Sequence, residues 1–356
     1  MKYVKEFDSL RAIAVLSVMF SHFFAQFSVS GLFGSCGVTL FFVLSGYLIT
    51  QILLKEKQAY NLEYGSNIKS LFSVLKVFYI RRALRIFPIY YITLAILYGL
   101  NFESTREYFL YHLFYLSNFL YSFKIEFDHL SHFWSLAVEE QFYLLWPFLI
   151  LLTPARYLTI RLFLVLVAGS ILFKFFLIWK YSFDTKSFEL LMPSCVESFA
   201  VGAGAVLLKD KKIKKEVLLF VLVSSLTLFV LVNWISFKSN YLPLLIACKI
   251  VSRTIFSFFS ATLLLSILQK ALPAFVQWCF RNKILIGIGK ISYGVYLYHM
   301  FVYNIMEYIQ AEFRINLTGS GFYLLVALFI TFSLAIVSYY AIETPIRKLK
   351  VRFAYR

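Results

Sequence analysis

The sequence predicts an all-α integral membrane protein: a bundle of ten transmembrane helices with both termini cytoplasmic, plus an interfacial or re-entrant helix near 108–122. Three observations predict it. Of the 356 residues, 61% are hydrophobic and 15% charged, more apolar surface than a soluble domain of this length can hide. The apolar residues gather in runs close to the ~20 residues that a membrane crossing needs. The formal charge of +17 is concentrated between those runs, in KEKQ, KVFYIRRALR, KDKKIKK and ETPIRKLKVR, the pattern of cytoplasmic loops; it calls for no nucleic-acid partner.

Taken in order, the first run, 8–28, follows MKYVKE and contains Asp8, Arg11 and His22. It lacks a small-residue cleavage site and is expected to remain as a span. Arg11 and His22 share one helix face and lie ~16 Å apart along the axis. Asp8, three residues before Arg11, can pair with it at the helix start. A second run covers 34–54, and a basic stretch then leads through Arg81, Arg82 and Arg85 to Pro88 and a third run, 86–100. The fourth, 108–122, is interrupted by His112, Asn118 and several tyrosines. Runs follow at 133–152, 160–180, 188–208, 217–235, 243–268, 284–304 and 321–342. Basic termini and basic turns on one side require an even number of crossings, and 108–122 is the run that fails to cross. The chain as read is a single polytopic domain, 1–356, with no internal repeat and no soluble C-terminal domain.

Ionisable groups inside a bilayer usually face a cavity, a path or one another. His22 either bridges two helices or lines such a cavity. Arg82 and Arg85, three apart, can fork onto phosphate oxygens, or can serve as a positive-inside anchor. In HFWSLAVEEQFYLLWP, Ser135, Glu139 and Tyr143 align at four-residue steps. Glu139 there either orients an imidazole or pairs with a buried cation such as Arg253, which has Lys249 one turn before it. ISYGVYLYHMF sets Ser292, Tyr296 and His299 on one face, and Glu197 is a further intramembrane acid. The four cysteines are scattered without a CxxC, so neither a disulfide framework nor a metal site is expected. No Walker loop, HExxH, Rossmann glycines or GxSxG elbow occurs, which removes support for ATPase, metalloprotease and serine-hydrolase readings.

Together, FDSLRAIAVLSVMFSH, GVTLFFVLSGYLIT, FYIRRALRIFPIYY, HFWSLAVEEQFYLLWP, ISYGVYLYH and the closing ETPIRK resemble the acyltransferase family 3 membrane proteins, O-acetyltransferases of surface polysaccharides, along nearly the whole chain. The resemblance implies a multi-pass protein of the bacterial inner membrane that takes acyl-CoA, usually acetyl-CoA, from the cytoplasm as a donor substrate, with no permanently bound cofactor. It implies transfer of the acyl group to a carbohydrate or lipid-linked sugar. On it, His22 and Glu139 are the catalytic residues, Asp8, Arg11, Arg253, Tyr296 and His299 support them, and Arg81, Arg82 and Arg85 hold the acyl-CoA phosphates. Many members carry an Arg three residues before the acid at Glu197, where this chain has Ser194. The rival reading is a transporter or flippase for a lipid-linked sugar or acylated metabolite; transporters commonly show repeated halves, which are not visible here.

Overall fold

A computed structural model describes residues 3–24, 27, 30–60, 68–102, 105–123, 130–180, 187–313 and 321–353. Residues 25, 26 and 28 of the first predicted run, and 61–67 of the basic stretch after the second, lie outside the described residues. The helices in chain order are α1 (Glu6–Phe23), α2 (Ser30–Ala59), α3 (Ile68–Leu100), α4 (Phe109–Leu113), α5 (Ser117–Phe123), α6 (Phe133–Leu152), α7 (Ile160–Lys180) and α8 (Ser187–Leu190), then α9 (Met192–Leu208), α10 (Lys215–Lys238), α11 (Leu242–Leu268), α12 (Ala274–Phe280), α13 (Lys283–Phe313), α14 (Gly321–Ser338) and α15 (Thr344–Lys348). No strand occurs among the described residues.

Seven stretches among the described residues are long and apolar enough to cross a membrane: α2, α3, α6, α7, α10, α11 and 322–348. The remaining predicted spans coincide with α1, α9 and α13; α1 and α9 are interior helices, and α13 is buried over its middle but exposed at both ends. α1 packs against both α2 and α13, with Leu10, Ala14 and Val15 wholly enclosed. A helix screened from lipid by its neighbours can carry Asp8, Arg11 and His22. α10 is the opposite case, since Leu218 and Phe229 are its buried residues and the rest of its apolar surface faces outward.

Small residues let these helices approach closely. A Cβ at Gly289 on α13 would lie 1.8 Å from the Asp8 carbonyl oxygen of α1, and one at Gly202 on α9 would lie 2.1 Å from the Val43 carbonyl oxygen of α2. Deeper in the bundle the Lys174 ammonium on α7 meets Glu197 on α9 at 2.5 Å, and the Thr254 hydroxyl of α11 donates to the other Glu197 oxygen at 2.7 Å. Lys57, predicted as a loop charge, lies in α2 and is buried. Its ammonium donates to the carbonyls of Ile150, at 3.0 Å, and Thr153, so a cation closes the C-terminal end of α6, where the helix dipole favours one.

Two further expectations are corrected. The arginine stretch is no loop: α3 runs unbroken from 68 to 100 with Pro88 inside it, so the guanidiniums stand on a rigid continuation of the third span, and Pro88 forfeits one backbone bond. The predicted helix at 108–122 is two short helices, α4 and α5, parted at Tyr115, whose φ is 54°. They are held by bonds from the Tyr90 and Tyr91 hydroxyls to the carbonyls of His112, at 2.7 Å, and Leu113, at 3.1 Å. Pro345 lies within the last helical stretch. A π-helical turn, Tyr339–Glu343, follows α14 and leads into α15, where Pro345 sits in the first turn and sacrifices no helical bond.

Candidate functional site

The sequence-predicted residues distribute along three cavities that share walls. The largest, 1210 Å³, lies at the basic end. Arg81, Arg82 and Arg85 of α3 form one side, and Arg347, Lys348 and Lys350 of the C-terminal segment form another. Lys55 and Lys209 complete eight cations against two acids, Glu56 and Asp210. The Arg81 guanidinium donates to the Phe353 carbonyl at 3.0 Å, tying the C-terminal segment to α3. Arg82 lies over the Tyr143 ring at 5.4 Å, a cation–π contact that holds it at the cavity floor. Burial, reinforced by Arg85, Arg82, Arg347 and Arg81, pulls Lys350 from the ordinary lysine range down to about 7. Eight cations against two acids make the basin an anion-attracting site.

A neck of 80 Å³ continues from this basin and shares Arg82 and Arg85 with it. Arg11 lines the neck, paired with Asp8 at 2.7 Å, and Asp8 also accepts from the Tyr3 hydroxyl. Glu139 lies in this neck as well. One of its oxygens accepts from Ser45 Oγ at 2.5 Å and from the Tyr143 hydroxyl. Of the two roles read from sequence for Glu139, neither an imidazole nor Arg253 is its partner.

The third cavity, 320 Å³, contains His22 and shares Val38 and Tyr296 with the neck. His22 faces His299, with ring centroids 5.2 Å apart, and His299 faces His132 at the same separation. The Nδ1–H of His299 donates to the Tyr296 carbonyl at 2.7 Å, which leaves Nε2 as the bare nitrogen; it is buried and without a hydrogen-bond partner among the described residues. His132 Nε2 is 3.3 Å from the Leu297 carbonyl. The Tyr296 hydroxyl meets Ser135 Oγ and lies 3.3 Å from the His132 carbonyl, so it sits at the wall between neck and chamber. Arg253 lines the chamber but takes Glu189 as its acid, at 3.9 Å, and donates to the Glu189 carbonyl at 3.0 Å.

The structure therefore groups His22, Tyr296, His299 and Arg253 in or against one chamber, and Arg11, Glu139, Arg82 and Arg85 in the neck below it. Arg81 faces the basin alone. Two contributions escaped sequence reading. His132 opens the HFWSLAVEE motif three residues before Ser135, a spacing that carried the signal. The C-terminal cations were indistinguishable from a membrane anchor. Among the described residues no group of three or more His, Cys, Asp and Glu has the arrangement of a metal site.

A family model described as an acyltransferase domain matches residues 4–340. The peptidoglycan O-acetyltransferase OatA of Listeria monocytogenes is 30% identical over 98% of this chain and 56% of its own length. A Staphylococcus aureus protein provisionally named an O-acetyltransferase is 28% identical, over 98% of this chain and 58% of its own length. The provisionally named peptidoglycan O-acetyltransferase YrhL of Bacillus subtilis is also 28% identical, over 97% and 55%. The chain spans a little over half the length of these relatives. No solved structure matches. By the extent of the family match and the near-complete alignment with these relatives, the chain belongs to the membrane acyltransferase family that this domain defines.

Proposed function

We propose that the protein transfers an acetyl group from cytoplasmic acetyl-CoA to a hydroxyl of a cell-envelope carbohydrate, using His22 within the bacterial inner membrane. One observation carries the reading: a cation-rich basin, a neck and a histidine chamber follow one another, each sharing wall residues with the next. Ten spans with both termini cytoplasmic turn the basin towards the cytoplasm. There the CoA phosphates meet Arg82, Arg85 and their neighbours, while the pantetheine arm enters the neck. From Arg11 to His22 the path is ~16 Å along α1.

In the chamber, neutral His22 takes the proton of the acceptor hydroxyl as its oxygen attacks the thioester carbonyl. The carbon–sulfur bond breaks, the acetyl group leaves on the sugar, and the proton departs with the CoA sulfur. His299, with Nδ1 committed to a carbonyl, packs its ring against that of His22 at 5.2 Å and helps to fix its orientation. Acetylation of His22 itself before transfer to the sugar is the other chemistry the same groups support. The carbohydrate acceptor follows the name of the Listeria relative, a peptidoglycan O-acetyltransferase.

The test is to incubate membranes containing the protein with acetyl-CoA labelled in its acetyl group. Label is expected in envelope polysaccharide with the wild type and not with His22→Ala. Wild-type labelling by a folded His22→Ala protein sinks the role of the histidine, and no labelling by the wild type sinks the activity.

A further inference from the structure

Resting on that reading, we infer that the histidine chamber selects acceptors carrying an anionic group, a carboxylate or a phosphate, and that Lys249 and Arg253 are the residues that recognise it. Both lie on α11, four residues apart and on one face, and both line the chamber with His22. Their position is electrostatically unusual. The C-terminal end of α11 adjoins the basic turn, where Gln269 donates to the carbonyls of Leu208 and Lys211 at 3.4 and 2.9 Å. Arg253 lies ~22 Å from that end, in the half of the bundle from which positive charge is ordinarily depleted.

Arg253 is 9% exposed, and a buried cation needs compensation. Its compensation is partial. Its hydrogen bonds, to the Glu189 carbonyl and to Cys195 Sγ at 3.5 Å, both leave from Nη1. The Glu189 carboxylate stands off at 3.9 Å. Glu197 is occupied by Lys174 and Thr254. With Glu189 as the acid on the chamber wall against Lys249 and Arg253, one positive charge is left over, and guanidinium N–H groups remain for a ligand oxygen. Trp134 lines the same chamber, a flat apolar face on which a sugar ring can lie.

The test uses proteoliposomes of the full chain supplied with labelled acetyl-CoA and three acceptors on one scaffold: cellobiose, cellobiouronic acid and cellobiose 1-phosphate. The acidic acceptors are expected to show kcat/KM about tenfold above cellobiose, a factor equal to ~1.4 kcal/mol. Preference for the carboxylate or for the phosphate tells which anion the site takes. Lys249→Gln should erase most of the preference and Lys249→Glu should reverse it, read as the ratio of kcat/KM for the acidic acceptors to that for cellobiose; Lys249 projects from an exposed position, so these variants fold. Equal use of all three by the wild type, or a preference that survives Lys249→Glu, overturns the inference. If whole membranes label their polysaccharide yet the three acceptors are equivalent, this inference alone falls. If neither assay shows transfer, the proposed activity falls with it.

Discussion

At the residue scale, His22 and Lys350 lead to separate measurements. Replacing His22 by Ala should lower acetyl transfer by about 10²–10⁴, the usual contribution of a positioned acid–base group, with CoA affinity unchanged because His22 lies a full neck away from the basin. Lys350 carries a proton below about 7 and loses it above. Each proton lost removes one positive charge facing the phosphates, so CoA affinity should fall as pH rises from 6.5 to 8.5. Titration calorimetry across that range checks it, and Lys350→Met should flatten the decline. Asp8, Arg11 and His22 were legible from spacing alone, because a helix fixes which residues share a face. Glu139 and Arg253 were legible as buried charges, but the pairing with each other that the sequence offered is not the one they make. Tyr143, one turn on from Glu139, was legible from the four-residue step, whereas Ser45 and Glu189 come from elements whose packing no local pattern encodes.

At the scale of the element, interior helices are placed by contacts that tolerate little change. Gly289→Val would drive a side chain into the α1 backbone at Asp8 and separate α1 from α13, the helices that carry His22 and His299. It should lower thermal stability in detergent by at least 1–3 kcal/mol and reduce transfer with no chemical group removed. The Lys174–Glu197 pair gives a second test. Lys174→Met leaves a buried carboxylate uncompensated, expected to destabilise by about 3–5 kcal/mol, and adding Glu197→Leu should restore most of that loss in the same thermal assay. Helix positions were readable from apolar runs, whereas helix ends were not. α2 extends to Ala59, where Lys57 finds carbonyls at the end of α6, and α3 runs through Pro88 with the loss of one backbone bond.

For the molecule as a whole, the charge asymmetry gives the clearest prediction. A basin with eight cations and two acids should bind CoA less tightly as salt rises. A fall of roughly tenfold between 50 and 500 mM is expected by equilibrium binding, as the Debye length shrinks from ~14 to ~4 Å. The parity argument foretold that 108–122 would not cross, and the break at Tyr115 accords with it. What composition could not disclose is that the positive charge gathered at one end lines a single cavity.

The narrowness of the passage between Arg85 and Tyr296 bears on the cell's energy economy. At 80 Å³ it has room for only a handful of water molecules, and on the proposed reading the arm of the donor fills it during each turnover. The cargo is then its own stopper: the acetyl group goes outward in exchange for the one proton that the acceptor hydroxyl gives up to CoA, no free ion follows, and a cell can decorate its wall without discharging its membrane.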